Sequence, residues 1–145
     1  MQEHGLKISE LVTLFNLEVL NRGSDYDTAL LTITDVNRPG LQFHSFYDYF
    51  DPRRLQVLGK AEITYLKGLT TEQRRKCFDD LFLYDIPALV ISRGLDCFPE
   101  CLESARVHER TLLRTEETTV EFTSHTIEYL NRVLAPCVTR HGVLL

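Results

Sequence analysis

A chain of 145 residues, 43% of them hydrophobic, is one domain's worth of sequence with enough apolar material for an ordinary core. Its net charge of −5 excludes the basic excess of a nucleic-acid footprint, and the densest basic run, Arg74-Arg75-Lys76, is followed at once by Asp79-Asp80, as on a solvated helix face. No apolar run approaches membrane-spanning length and no leader precedes the first amphipathic segment, so neither nucleic acid nor membrane is expected as a partner, and the chain reads as cytosolic.

In chain order, Leu6, Ile8, Leu11, Val12, Leu14 and Phe15 recur at roughly helical spacing. They predict a helix over Ser9 to Asn16, with Asn16 as a left-handed C-cap. Leu17–Leu20 alternates briefly, as a short strand does, and Asn21-Arg22-Gly23-Ser24-Asp25 is turn chemistry. Ala29–Thr34 is mostly apolar and partly β-branched, which predicts a strand buried on at least one face. Asn37-Arg38-Pro39-Gly40 then reads as a sharp turn. Pro39 disfavours the α region at Arg38, and Gly40 is free to adopt positive φ. Phe43, Phe46, Tyr47, Tyr49 and Phe50 crowd the next residues. They read as a plug of the core beneath a loop and not as a base-stacking platform, because Asp48 and Asp51 flank them.

Leu55–Leu58 is the next strand, and Gly59 opens a helix over Lys60 to Leu66. Thr70-x-x-Gln73 matches a capping box and starts a helix over Thr71 to Leu83, with Phe78, Leu81 and Phe82 inward. Pro87–Ser92 carries a buried-strand signal that Arg93-Gly94 ends. Pro99 at a first helical position begins a helix to His108, and Leu112-Leu113 suggests a short strand. A second capping box, Thr118-x-x-Glu121, opens a helix whose inward stripe reads as Val120, Thr123, Ile127, Leu130 and Leu134, stopped by Pro136. From His141 another apolar strand begins, and a chain that ends inside a rising apolar run reads as cut ahead of a further domain. Strands alternating with helices predict an α/β fold, a three-layer-like sandwich around a largely parallel sheet.

The chemistry-bearing residues form no complete catalytic motif. Cys77, Cys97, Cys101 and Cys137 include no Cys-x-x-Cys, and Cys97-x-x-x-Cys101 lacks a second pair at zinc-ligand spacing, so no metal site is expected and the thiols read as reduced and structural. Gly59-Lys60 is not a phosphate loop: Arg54 stands where the first Gly is needed, and Ala61 where Ser or Thr should follow the Lys. Gly59 still leads into a helix start whose N–H groups can hold an anion, the plain alternative being tight strand-to-helix packing. Arg38 beside Pro39-Gly40 can clamp a carboxylate or phosphate, or else pair locally with Asp35 or Asp48. Arg38, Gly40, Gly59 and Lys60 are therefore the candidate ligand-binding residues, for an anionic metabolite such as a sugar phosphate or a uridine nucleotide. His44 and His125 have no partner that sequence can place and read as structural. Ser92 is no nucleophile elbow, since Val90 and not Gly stands two residues before it.

A set of segments spread over nearly the whole chain carries a resemblance. They are Asp35-Val36-Asn37-Arg38-Pro39-Gly40, Tyr47-Asp48-Tyr49-Phe50, Arg54 through Ile63, Tyr84-Asp85-Ile86-Pro87-Ala88, Leu113-Arg114-Thr115, Tyr129-Leu130, and Leu134-Ala135-Pro136 with His141-Gly142-Val143-Leu144. In order and spacing this set resembles the N-terminal domain of bacterial HPr kinase/phosphorylase. The resemblance implies a fold similar to the first domain of the Mur ligases. It divides the chain into that domain over residues 1–134 and, over 135–145, a linker with the first strand of a C-terminal kinase domain. The implied parent is a cytoplasmic, bifunctional homohexamer. It phosphorylates a serine of the phosphocarrier HPr with ATP or pyrophosphate and magnesium, removes that phosphate by phosphorolysis, and so controls carbon catabolite repression. Its catalytic P-loop would lie beyond Leu145, leaving this fragment a regulatory or scaffolding domain with no cofactor of its own. His141 matches the family's active-site His at the His-Gly-Val junction and, without the P-loop Lys, Asp and Arg that accompany it, is expected to be inert. The chain departs from the family pattern at Cys97-Phe98-Pro99-Glu100-Cys101, and at Val120, where a basic residue is common.

Overall fold

A computed structural model describes residues 5–135. The strand expected from His141 lies outside the described residues. The elements run β1 (Leu6–Lys7), α1 (Ile8–Phe15), β2 (Glu18–Asn21), β3 (Leu30–Leu31), β4 (Val36–Asn37), α2 (Gly40–Phe43), β5 (Leu55–Leu58), α3 (Lys60–Lys67), α4 (Thr71–Phe82), β6 (Leu89–Ile91), α5 (Pro99–His108), β7 (Leu112–Arg114) and α6 (Thr119–Val133). Local chemistry marks many of the boundaries. Asn16 ends α1 in the left-handed conformation, φ 53° and ψ 50°. Thr70 and Gln73 satisfy each other's backbone N–H at 3.0 and 3.1 Å, and Thr118 and Glu121 do the same at 3.3 and 3.1 Å. Pro99 occupies the first turn of α5, where its missing N–H costs nothing.

The main sheet has five strands in the order β2-β7-β6-β5-β4. β4 to β7 are parallel, and β2 runs antiparallel to β7. Side chains alternate across the sheet as the pleat requires. Leu58, Leu89, Ile91 and Leu112 face a cluster with Phe43 of α2, Ile63 and Leu66 of α3, Phe78 and Phe82 of α4, and Ala105 of α5. Leu55, Val57, Val90 and Leu113 face a second cluster with Ile8 and Leu11 of α1 and Phe122 and Leu130 of α6. The sheet is thus covered on both faces, and the expected α/β sandwich around a largely parallel sheet is the fold observed. That coverage explains why β5 and β6 read as unbroken apolar or buried runs.

Three local expectations change. The strand expected over Ala29–Thr34 shrinks to β3, which pairs antiparallel with β1 in a separate ribbon. Only Leu31 is fully buried there, and Thr32 and Thr34 are exposed. The edge of the main sheet is instead β4, whose Asn37 is the first residue of the segment read as a turn. Its Asn37, half-buried, donates through Nδ2 to the buried Gln56 Oε1 at 2.7 Å and the buried Gln42 Oε1 at 3.0 Å, an amide trio that fixes the edge strand to β5. Gly40 does not use positive φ; it starts α2, and the left-handed residues of this region are Ser45 and Tyr49.

The third change concerns α6. Its buried residues are Thr119, Phe122, Thr126 and Leu130, whereas Val120 is 76% exposed. Two contacts set this rotation: the Thr119 hydroxyl bonds to Ser92, and the Phe122 ring meets Phe15 edge-on at 6.0 Å. Of the aromatic run, Phe43 packs on Phe78, and Tyr47 and Phe50 pack with Tyr84. Phe46 and Tyr49 are exposed and plug nothing.

Asp79 ties α4 to α5. Its Oδ1 accepts from Arg75 at 3.0 Å and Ser104 at 2.5 Å, and lies 3.2 Å from His108 Nε2. Burial alone would raise its pKa, but the Ser104, Arg75 and His108 contacts outweigh it and hold the carboxyl below its ordinary value. A depressed folded-state pKa gives stability that is complete above the unfolded value, about 3.9, and is lost as pH falls through the folded one. Urea denaturation across that acid range should therefore show a shallower loss of stability in Asp79→Asn than in the unsubstituted chain. Parallel acid limbs would contradict this coupling.

Candidate functional site

In open α/β sheets, ligands bind outside the carboxyl ends of the parallel strands. Here that edge is formed by Arg38 after β4, Gly59 after β5, Ser92-Arg93-Gly94 after β6 and Thr115–Thr118 after β7. The structure brings Arg38 and Gly59 together there. Around them it assembles three residues that sequence reasoning did not select: Glu62, Ser92 and Thr119.

Glu62 is the centre of the arrangement. Its Oε1 accepts from Gly59 N at 2.7 Å, Arg38 Nη2 at 2.8 Å and Arg38 Nε at 3.1 Å, and its side chain is 9% exposed. The positive start of α3 and the Arg38 guanidinium thus already share an anion, supplied by the chain itself. Arg38 pairs with neither Asp35 nor Asp48; Asp35 is held by Arg54 at 3.3 Å. A readable signal existed, since Gly59-x-x-Glu62 places a carboxylate at the third helical position, where it reaches back to the cap N–H.

Gly59 is required for close approach. A Cβ there would lie 2.5 Å from Thr119 Oγ1 and 2.6 Å from Arg38 Nη2. Ser92 donates its one hydroxyl hydrogen to Leu58 O at 2.9 Å, so Thr119 is the donor in the 2.6 Å contact between the two hydroxyls. Ser92 is fully buried and committed to holding β5, β6 and the start of α6, in keeping with its not being a nucleophile elbow. Arg93 and Gly94 turn the chain in the left-handed region, φ 61° and 60°, and their N–H groups bond to Glu117 O and Thr115 O.

Beside this edge lies a hollow of about 420 Å³ lined by Arg38, Gly40, Leu41, Phe43, His44 and Tyr65, with Ala61 and Glu62. His44 packs against the Tyr65 ring at 4.3 Å between centroids and its Nδ1 lies 2.9 Å from Gly40 O. The guanidinium spends Nε and Nη2 on Glu62, and its Nη1 makes no hydrogen bond among the described residues. A Cβ at Gly40 would meet nothing within 4 Å. Lys60 is exposed at the start of α3, does not line the hollow and makes no ion pair among the described residues. A larger hollow, about 600 Å³, lies between α1 and the C-terminal half of α6, but Glu10 is its charged residue and no cation lines it, which does not suit an anion.

His125, for which sequence offered no partner, lies midway along α6 with Glu117 Oε2 2.9 Å from its exposed Nδ1. His141 lies outside the described residues. Among the described residues no group of three or more His, Cys, Asp or Glu side chains is placed to hold a metal ion. Among the described residues, the Gly59-Lys60 turn is not built to hold a nucleoside triphosphate. The Gly59-Lys60 segment lacks the P-loop pattern, and the Gly59 N–H that would meet a phosphate is bonded to Glu62.

Comparison with known proteins adds the following. The family model described as HPr Serine kinase N terminus matches residues 6–130. A protein of Alkaliphilus metalliredigens named HPr kinase/phosphorylase is 41% identical over 140 residues, which cover 97% of this chain and 45% of that protein. One of the same name from Clostridium perfringens is 40% identical over 141 residues, with the same coverage. The chain therefore spans about half the length of the curated relatives it matches. Among solved structures, the CBS and DRTGG domains of the regulatory region of Clostridium perfringens pyrophosphatase, in complex with the activator diadenosine tetraphosphate, superpose with a TM-score of 0.57. That match covers 90% of this chain and 54% of the other at 14% identity, a likeness of fold alone.

Proposed function

The chain belongs to the HPr serine kinase N-terminal family, and from that membership we propose that it is the regulatory or scaffolding domain of a bifunctional HPr kinase/phosphorylase. The observation that carries this reading is the 41% identity over 97% of the chain, confined to less than half of the relative. The parent would phosphorylate a serine of HPr with ATP or pyrophosphate and magnesium, reverse this by phosphorolysis, and act in the cytoplasm as a homohexamer controlling carbon catabolite repression. Residues 135–145 would be the linker and first strand of its kinase domain, and His141 would join the active site there. No helix among the described residues is long and apolar enough to cross a membrane.

By itself this chain would bind and position rather than catalyse. No nucleophile–base pair and no phosphate loop stand among the described residues, and Ser92 is tied to Leu58 and Thr119. Incubation of the chain with HPr, ATP and magnesium should yield no phosphoserine on HPr. The same assay on the chain joined to a kinase half carrying a G-x-x-G-x-G-K-S run should yield it. Phosphorylation by the 145-residue chain alone would overturn the reading.

A second reading is favoured by the hollow beside Arg38: the domain holds an anionic metabolite, such as a sugar phosphate or a uridine nucleotide. Arg38 would clamp the anion through its remaining donors, with His44 and Tyr65 as a wall for a ring. Gly40, Gly59 and Lys60 would contribute an open mouth, a close backbone and a nearby cation. Thermal-shift titrations with such metabolites should raise Tm in the unsubstituted chain and not in Arg38→Ala or Gly40→Leu. The second variant leaves the Arg38–Glu62 pair intact. Equal shifts in all three proteins, or none at millimolar ligand, would exclude this site.

A further inference from the structure

Next to the Arg38 hollow lies a smaller one, of about 190 Å³, between the end of α2, α3 and one face of α4. The two hollows share only Phe43 and Tyr65. Apolar walls come from Phe43, Tyr65 and Leu69. Polar groups come from Ser45, just past the end of α2, and from Gln73, Lys76 and Asp80, whose spacing of three and four places them on the same face of α4. Each of these four keeps a hydrogen-bonding site unspent. Gln73 Oε1 accepts from Thr70 N at 3.0 Å, which leaves the Nε2 donors without a partner among the described residues. Lys76 Nζ spends one N–H on Asp80 Oδ2 at 2.8 Å, and Asp80 Oδ1 accepts nothing among the described residues. Ser45 bonds only through its backbone N–H, to Gln42 O, and its hydroxyl has no partner among the described residues. The other polar residues of the lining are committed: Gln42 to Asn37 and Phe46 O, and the Cys77 thiol to Phe43 O.

Ser45 adds an independent observation. Its φ of 69° lies in the left-handed region, which glycine adopts freely and which a side chain makes costly. A serine can offset that cost by bonding its hydroxyl to the local backbone, and this one does not. The fold gains nothing from the hydroxyl, and the residue that carries it lines the hollow. A backbone cost without structural return points to a position kept for binding.

We propose that this hollow binds a neutral polyol the size of a single sugar ring. Lys76 and Asp80 neutralise each other at 2.8 Å, so the lining carries no net charge: an anion would meet Asp80 and a cation would meet Lys76. What remains is a set of donors on Gln73 and Lys76, a carboxylate acceptor on Asp80, and a Ser45 hydroxyl that does both. Adjacent hydroxyls of a polyol, each donating and accepting, complement that mixture, while the C–H face of the ring rests on Phe43 and Tyr65. At about 30 Å³ per water the space equals about six waters, enough for one six-membered ring and too small for a nucleotide. This site needs neither Arg38 nor an anion, and so goes beyond the metabolite reading given for the neighbouring hollow.

The experiment titrates the ¹⁵N-labelled 145-residue chain with myo-inositol and with D-glucose, and follows the backbone amide resonances. Cyclohexanol, glycine and inorganic phosphate serve as comparisons: a ring without the hydroxyl set, a zwitterion and an anion. The expected result is a saturable shift of the Ser45, Gln73 and Lys76 amides with at least one of the two polyols, at a Kd of about 1–10 mM, and none there with the three comparisons. Ser45→Gly should hold or raise Tm, since glycine suits the backbone, and should weaken binding about fivefold or more, the loss of one hydrogen bond. Gln73→Glu keeps the acceptor for Thr70 N, so α4 stays capped, and removes only the Nε2 donors; it should weaken binding to a similar extent. Absence of saturation with both polyols, shifts centred on His44 and Ala61 in the neighbouring hollow, equal response to glycine or phosphate, or unchanged binding in both variants would overturn the proposal.

Discussion

Phe122→Ala is expected to lower the free energy of unfolding by about 3–5 kcal/mol, while Val120→Ala, two residues away, should change it by less than about 0.5 kcal/mol. Phe122 is fully buried between β5, α1 and the body of α6, with its ring edge-on to Phe15. Truncation removes that ring from the core and leaves a cavity that the sheet cannot close, because β5 and β6 are held on both faces. Val120 is 76% exposed and loses almost nothing. Chemical denaturation of the two variants decides between two rotations of α6. The stripe Val120, Thr123, Ile127, Leu130 and Leu134 assigns the larger effect to Val120, whereas the structure, which keeps only Leu130 of that stripe buried among the residues of α6, assigns it to Phe122. Comparable losses at both positions would mean that α6 sits differently on the sheet.

The second large effect is expected at Gly59. Gly59→Ala should cost about 2–3 kcal/mol, whereas Gly40→Ala should be near neutral. The added methyl at Gly59 meets Thr119 Oγ1 and Arg38 Nη2 at 2.5 and 2.6 Å. Arg38 is the far end of a flexible side chain and can retreat, though in doing so it weakens its bonds to the 9%-exposed Glu62. Thr119 cannot retreat easily: its hydroxyl is bonded to Ser92 and its backbone begins α6. Relief should therefore come from Thr119→Ala. In the double variant the cost of Gly59→Ala should fall by about 1 kcal/mol or more, a non-additivity expected of groups in contact. Strict additivity would show that the close approach at this edge is not what selects glycine. At Gly40 no atom lies within 4 Å of the added methyl, so the same substitution tests backbone preference alone.

Both results bear on how the candidate site is to be used. A carboxylate already occupies the start of α3, so any external anion would have to meet Arg38 from the hollow side, with Glu62 kept at Gly59. Arg38→Ala should accordingly lower Tm without ligand as well as remove the ligand-induced shift, since it leaves Glu62 with only the Gly59 N–H.

Much of the fold was legible in the residues. Asn16, the Thr70 and Thr118 capping boxes and Pro99 act within one helical turn of themselves, and each marked a boundary that the structure keeps. The runs Leu55–Leu58 and Leu89–Ile91 are apolar or buried at every position because both faces of a parallel sheet are covered. The family, too, was readable, since its identifying segments are spread along nearly the whole chain.

Sequence by itself therefore determined the longer helices, the central strands, their alternation and the family, because caps, turns and periodic burial are local and carry their own signal. Tertiary structure alone decided the edge strand, the rotation of α6 and the Arg38–Glu62–Gly59 constellation. The edge strand depends on a bond from Asn37 to Gln56, and the rotation of α6 on a bond from Thr119 to Ser92. Glu62 is anchored from its own turn by Gly59, but its cation comes from Arg38, just past the end of β4. A contact between distant segments has no periodicity to announce it; its energy appears only when the sheet brings its carboxyl edge together.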